Sequence, residues 1–166
     1  VTPGDFDSPP HFYEDGAIAF SPDSRSVAFV SNRDGKDKEM MNTNQDVWLA
    51  PITGGSPKKV TMNPAADQQP TFSPDGKIAI LVADVDGNTG IYRHQLLTGK
   101  NTSLPLPAGV NYPGGAESAF SNDGTKLLYY HNGPNAPNDA WIYHLATAKS
   151  TQVTHSLMAG IPAQHF

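Results

Sequence analysis

Apolar positions in this chain come as short, dense runs separated by Gly, Pro, Asn and Asp, and none follows helical spacing. Val27-Ala28-Phe29-Val30, Ile78-Ala79-Ile80-Leu81-Val82 and Leu127-Leu128-Tyr129-Tyr130 are rich in β-branched and aromatic side chains. Runs of this kind bounded by turn residues read as strands. They alternate weakly, and a nearly continuous apolar strand has both faces of its sheet covered. A second run follows each: Val47-Trp48-Leu49, Ile91-Tyr92-Arg93 and Trp141-Ile142-Tyr143. Then comes a turn, at Thr53-Gly54-Gly55, Thr98-Gly99 or Ala146-Thr147-Ala148, and a polar segment. Those segments, Lys58-Lys59-Val60-Thr61, Asn101-Thr102-Ser103 and Thr151-Gln152-Val153-Thr154, suit edge strands that meet water.

The pattern is one unit written three times. Phe20-Ser21-Pro22-Asp23-Ser24, Phe72-Ser73-Pro74-Asp75-Gly76 and Phe120-Ser121-Asn122-Asp123-Gly124 start 52 and 48 residues apart. Pro at the second turn position supplies φ near −65°, Gly stands at the fourth, and the leading Ser hydroxyl can bond back to the turn amides. Each phrase therefore joins an inner strand ending in Phe to the next strand. A short sheet buried on both faces and repeated at this period is a β-propeller blade. The expectation is an all-β chain, a β-propeller segment of three four-stranded antiparallel blades at 17–61, 62–104 and 105–154.

Departures from the repeat carry information of their own. The first copy holds a charged insertion at 32–44, and the third has Asn132 to Asn138 in the same place. Val1-Thr2 matches the blade ends Val60-Thr61 and Val153-Thr154, so 1–16 reads as the tail of a preceding blade plus a connector. Residues 155–166 start no further phrase and read as a linker leading out of the propeller. Closed propellers need four to eight blades. An uncovered blade face leaves on the order of 500 Å² of apolar surface, about 12 kcal/mol forgone at roughly 25 cal/mol per Å². That rivals the ~5–15 kcal/mol stability of a whole domain. The blades are therefore expected to be completed by the rest of a larger protein or by a second copy of the chain.

Composition narrows the chemistry. Gly and Pro number 15 each and Cys is absent, which excludes disulfides, thiolate metal sites and a thiol nucleophile. A net charge of −5 argues against nucleic acid as a partner, since that needs a basic face. No apolar run approaches the ~20 residues of a membrane span.

The Phe-Ser-Pro-Asp-Gly phrases, with Asp46-Val47-Trp48 and Asp139-Ala140-Trp141-Ile142-Tyr143, resemble the WD40-like repeats of TolB. They resemble equally the propeller of prolyl-oligopeptidase-family (S9) serine peptidases. Val1 to Pro10 is similar to an inter-blade connector of acylaminoacyl-peptidase and dipeptidyl-peptidase-like members. Asp139 to Tyr143, followed by Val153-Thr154-His155-Ser156-Leu157, is similar to the final blade of those enzymes. The resemblance implies a propeller that caps an α/β-hydrolase domain and admits small or unstructured peptides. It carries no catalytic residue onto this chain, because the Gly-x-Ser-x-Gly elbow of such hydrolases is absent from the sequence. The paired-glutamate motif of dipeptidyl peptidases is not recognisable, since Glu14, Glu39 and Glu117 are isolated.

No catalytic, cofactor or metal residue is assigned. His11, His94, His131, His144, His155 and His165 form no His-x-x-x-His or His-Glu pair, and His94 and His144 each follow the aromatic of the third strand in their copies, which makes them blade positions. Asp84 to Gly90 opens like a calcium loop, yet Gly87 comes two places early and the closing Glu is missing. Asp-Gly is hairpin chemistry instead. Asn101-Thr102-Ser103 fits the glycosylation pattern, one short enough to recur by chance.

Overall fold

The structure, a computed structural model, describes residues 18–33, 44–62, 64, 66–115 and 119–156. Among these residues the chain is all β. No helix among them is long and apolar enough to cross a membrane. The first four strands are β1 (Ile18–Phe20), β2 (Ser26–Ser31), β3 (Asp46–Pro51) and β4 (Lys58–Lys59), an antiparallel sheet in chain order. Next come β5 (Asp67–Phe72), β6 (Ile78–Val85), β7 (Asn88–Gln95) and β8 (Lys100–Ser103). The last are β9 (Val110–Pro113), β10 (Lys126–Gly133), β11 (Ala136–His144) and β12 (Lys149–Gln152). These eight form one sheet in which β8 pairs with β7. Its two antiparallel meanders meet through a single parallel bridge, Thr89 to Val110. Three four-stranded antiparallel blades were the expectation; the first sheet has four strands, and the connector after β8 brings β9 to the end of β7, so that one bridge joins the other two meanders into one sheet. Among the described residues the sheets are not closed into a ring.

The turn phrase behaves as its residues dictate. Ser21, Ser73 and Ser121 each accept a main-chain N–H from the residue three on, at 2.8, 2.9 and 2.8 Å. Their hydroxyls donate to Asp23, Asp75 and Asp123 at 2.6, 2.7 and 2.6 Å. The same hydroxyls accept the N–H of Ser26, Ile78 and Lys126. Position four is left-handed in all three, φ 55° at Ser24 and 67° at Gly76 and Gly124, the region that favours glycine.

Burial explains the weak alternation of the second strands. Ala79 and Leu81 of β6 pack with Ala28, Val30 and Val47 of the first sheet. Ile80, between them in sequence, packs with Leu127, Tyr129 and Tyr143. β6 is thus covered on both faces, and successive side chains of a strand point to opposite faces.

Two strands differ from the expectation. β4 is only two residues, because Val47 N donates to the Thr61 hydroxyl at 3.0 Å, where a main-chain carbonyl would continue the ladder. Thr61 Oγ1 passes the bond on to Asp46 at 3.2 Å, and Lys59 pairs with the same carboxylate at 2.6 Å. Thr154 repeats the arrangement, accepting from Ala140 N and donating to Asp139, both at 2.8 Å. In the third copy the inner strand, among the described residues, stops short of Phe120. β9 ends at Pro113, and Phe120 meets Leu127 only through an isolated bridge. Leu128 O accepts from Gly114 N while Leu128 N donates to Ala119 O. Gly114 permits this: a Cβ there would stand 2.7 Å from Leu128 Cδ2.

Candidate functional site

In an antiparallel meander the Ser-Pro-Asp turns sit at one end of the strands and the β6–β7 and β10–β11 hairpins at the other. The β6–β7 hairpin turns in two residues, Asp86 and Gly87, with φ 50° and 76°, the two positive values of a type I′ turn. The stretch weighed as a calcium loop is this turn, and Asp84 accepts the Thr89 hydroxyl across it at 2.6 Å. At the end of the other hairpin β10 pairs Gly133 with Ala136, after a register shift beyond His131.

The connector entering β9 is pinned between the two hairpins. Gly109 N donates to Asn88 Oδ1 at 2.9 Å, and Gly109 O accepts from Thr89 N at 3.0 Å. Gly109 has φ 134°, and a Cβ on it would fall 2.4 Å from Asn132 O. Only glycine lets the two backbones approach so closely. The three segments enclose a groove of about 330 Å³, lined by Gly87, Asn88, Ala108, Gly109, Val110, Asn132, Gly133 and Pro134. None of these is ionisable.

Below the groove, Asn111 ties the second meander to the third. Its Nδ2 donates to Thr89 O at 3.1 Å and Pro107 O at 3.0 Å. Its oxygen therefore faces His131 Nδ1 at 3.0 Å and accepts that N–H. His131 is buried, its ring edge-on to Trp141, and burial pushes its pKa below the ordinary 6.5. His94 makes a similar clasp one junction earlier, with Nδ1 2.6 Å from Asn101 Oδ1 while Asn101 Nδ2 donates to Val60 O at 3.2 Å. The carboxamide of the glycosylation pattern is therefore occupied at both ends. His144 is half-buried and His155 exposed. His11, His165, Glu14, Glu39, Glu117, Val1 to Pro10 and Leu157 lie outside the described residues. Among the described residues no three His, Asp or Glu side chains gather to hold a metal. Gly54-Gly55 forms the β3–β4 turn, with φ 90° and 128°, and holds no elbow serine.

The model of the TolB β-propeller domain matches residues 11–164. The chain belongs to the TolB β-propeller domain family. No curated protein sequence matches it. A putative TolB from Agrobacterium tumefaciens is similar in structure at TM-score 0.69 and 23% identity, over 87% of this chain and 47% of that one. TolB from Acinetobacter baumannii is similar at 0.65 and 20%, over 84% and 32%. A prolyl endopeptidase structure is similar at 0.61 and 20%, over 86% and 22%. The chain thus spans less than half the length of each of these three, and the likeness is one of fold. TolB-type propellers and S9 peptidase propellers both stand among its neighbours.

Proposed function

We propose that this TolB-type domain is a non-catalytic propeller segment of an S9-type serine peptidase. In this reading its three blades, 17–61, 62–104 and 105–154, join further blades to cap an α/β-hydrolase domain and restrict access to small or unstructured peptides. The observation that carries it is the groove at the hairpin end, whose lining carries no ionisable side chain and whose walls are tied together through Asn88, Gly109 and Asn111. Such a surface can hold polypeptide without cutting it. Residues 1–16 would be the tail of a preceding blade with its connector, and 155–166 the path out of the propeller.

A second reading is a TolB-like scaffold that binds protein partners, its ring completed by other blades or by a second copy. It is favoured by the family match and by the higher TM-scores of the two TolB structures, 0.69 and 0.65 against 0.61. Reading the coding sequence on either side separates the two. A Gly-x-Ser-x-Gly elbow on a strand-turn-helix downstream supports the peptidase, and its absence from the complete gene supports the scaffold. In either case this chain alone should not turn over an aminoacyl or dipeptidyl reporter. Turnover abolished by a serine-reactive phosphonate would overturn the non-catalytic assignment.

A further inference from the structure

We propose that the groove between the β6–β7 and β10–β11 hairpins takes an internal, uncharged stretch of extended polypeptide, and that the Asn132 carboxamide hydrogen-bonds its main chain. The inference rests on the polypeptide-holding reading above and names the ligand and its reader. The lining has no ionisable side chain. A free terminus would find no counter-charge in that lining, whereas a peptide unit finds hydrogen-bond partners there. That selects an internal segment over an ammonium or carboxylate end.

The carboxamides nearby are not equivalent. Asn88 is committed, its oxygen to Gly109 N and its nitrogen to Asp86 O at 3.3 Å. Asn111 is committed to Thr89, Pro107 and His131. Asn132 is exposed on the rim, and its side chain makes no hydrogen bond to the described residues. Two N–H donors and one carbonyl match the two sides of a peptide unit. A volume of about 330 Å³ lies at the small end of ligand sites, roughly 300–1,000 Å³, and so favours small side chains. Because the Gly109 backbone is already fixed on both sides, binding orders little of the protein, which keeps its entropic cost low.

The test is titration of the ¹⁵N-labelled chain with the capped peptide acetyl-Ala-Ala-Pro-Ala-amide and with its uncapped form. The capped peptide should shift the amides of Gly87, Gly109, Val110 and Gly133 saturably and bind more tightly than the uncapped one. Asn132→Ala should weaken it about three- to tenfold, the loss of one hydrogen bond. Ala108→Trp, which fills the groove from an exposed position, should abolish it. Shifts clustered elsewhere, tighter binding of the uncapped form, or unchanged affinity in Asn132→Ala would overturn the proposal. A reduced and alkylated unfolded protein, assayed in parallel, separates the two levels. If it binds the parent chain and Ala108→Trp alike, the groove assignment falls and polypeptide holding stands; if neither ligand binds, both fall.

Discussion

Pro74 bears on Gly124: a Cβ on that glycine would stand 3.5 Å from Pro74 Cδ, and Pro22 bears on Gly76 in the same way at 3.6 Å. The turn phrase therefore works between copies as well as within them, each proline resting against the fourth position of the next turn. Both distances are ordinary contacts, so the demand for glycine comes from φ rather than from space. Gly76→Ala and Gly124→Ala should each cost about 1 kcal/mol, and Ser24→Gly should gain a similar amount. Ala148, at φ 53° where Gly99 stands at 70° in the corresponding turn, should also gain from Ala148→Gly. Urea unfolding of the four variants checks the signs.

The same turns predict an acid limb of stability. The Ser21, Ser73 and Ser121 hydroxyls, followed by main-chain N–H groups, hold the Asp23, Asp75 and Asp123 carboxyls below the ordinary 3.8, Asp75 at about 2. A depressed carboxyl stabilises the folded chain above its unfolded value, and that contribution is lost as the pH falls through the folded one. The urea midpoint should therefore drop between about pH 4 and pH 2. Ser73→Ala should flatten that limb, and an unchanged slope would contradict the assignment.

A second limb lies higher. Burial favours neutral His131, so the unfolded chain takes up the proton first and stability should fall as the pH drops below 6.5. His131→Gln should remove this limb and leave the acid one. Asn111→Ala strands the carbonyls of Thr89 and Pro107 and should cost about 1–3 kcal/mol at neutral pH. Guanidinium titrations at pH 5 and pH 8 read both effects.

Gly109 is the position at which the groove is most easily broken. A methyl group 2.4 Å from Asn132 O has a backbone atom in its way, so the connector must move. Gly109→Ala should lose about 2 kcal/mol or more through φ strain and the bonds to Asn88 and Thr89. Exchange of the Gly109 and Thr89 amides should accelerate well beyond that of Ile80.

What was legible in the sequence was what local chemistry decides. Ser-Pro-Asp-Gly announces its own turn, and Asp86-Gly87 its hairpin, because both depend on φ preferences of adjacent residues. The His131–Asn111 and His94–Asn101 clasps were not legible, since each joins residues on different strands and depends on register. The end of β9 at Pro113 was hidden for a related reason: Leu128 bonds both Gly114 and Ala119, an accommodation set by packing. One missed pairing had left a trace. Asp46 and Thr61 are 15 residues apart, as are Asp139 and Thr154, and both pairs flank a Trp strand. The second copy lacks it, with Gly90 and Pro105 at the corresponding places, so only two instances marked the pattern.

Hydrogen exchange of the chain with and without a reduced, alkylated polypeptide tests most directly the claim that the hairpin end holds polypeptide. Protection is predicted at 86–89, 107–111 and 131–135, with the turns at 21–25, 73–77 and 121–125 unchanged. Protection confined to those turns, or none at all, would contradict it.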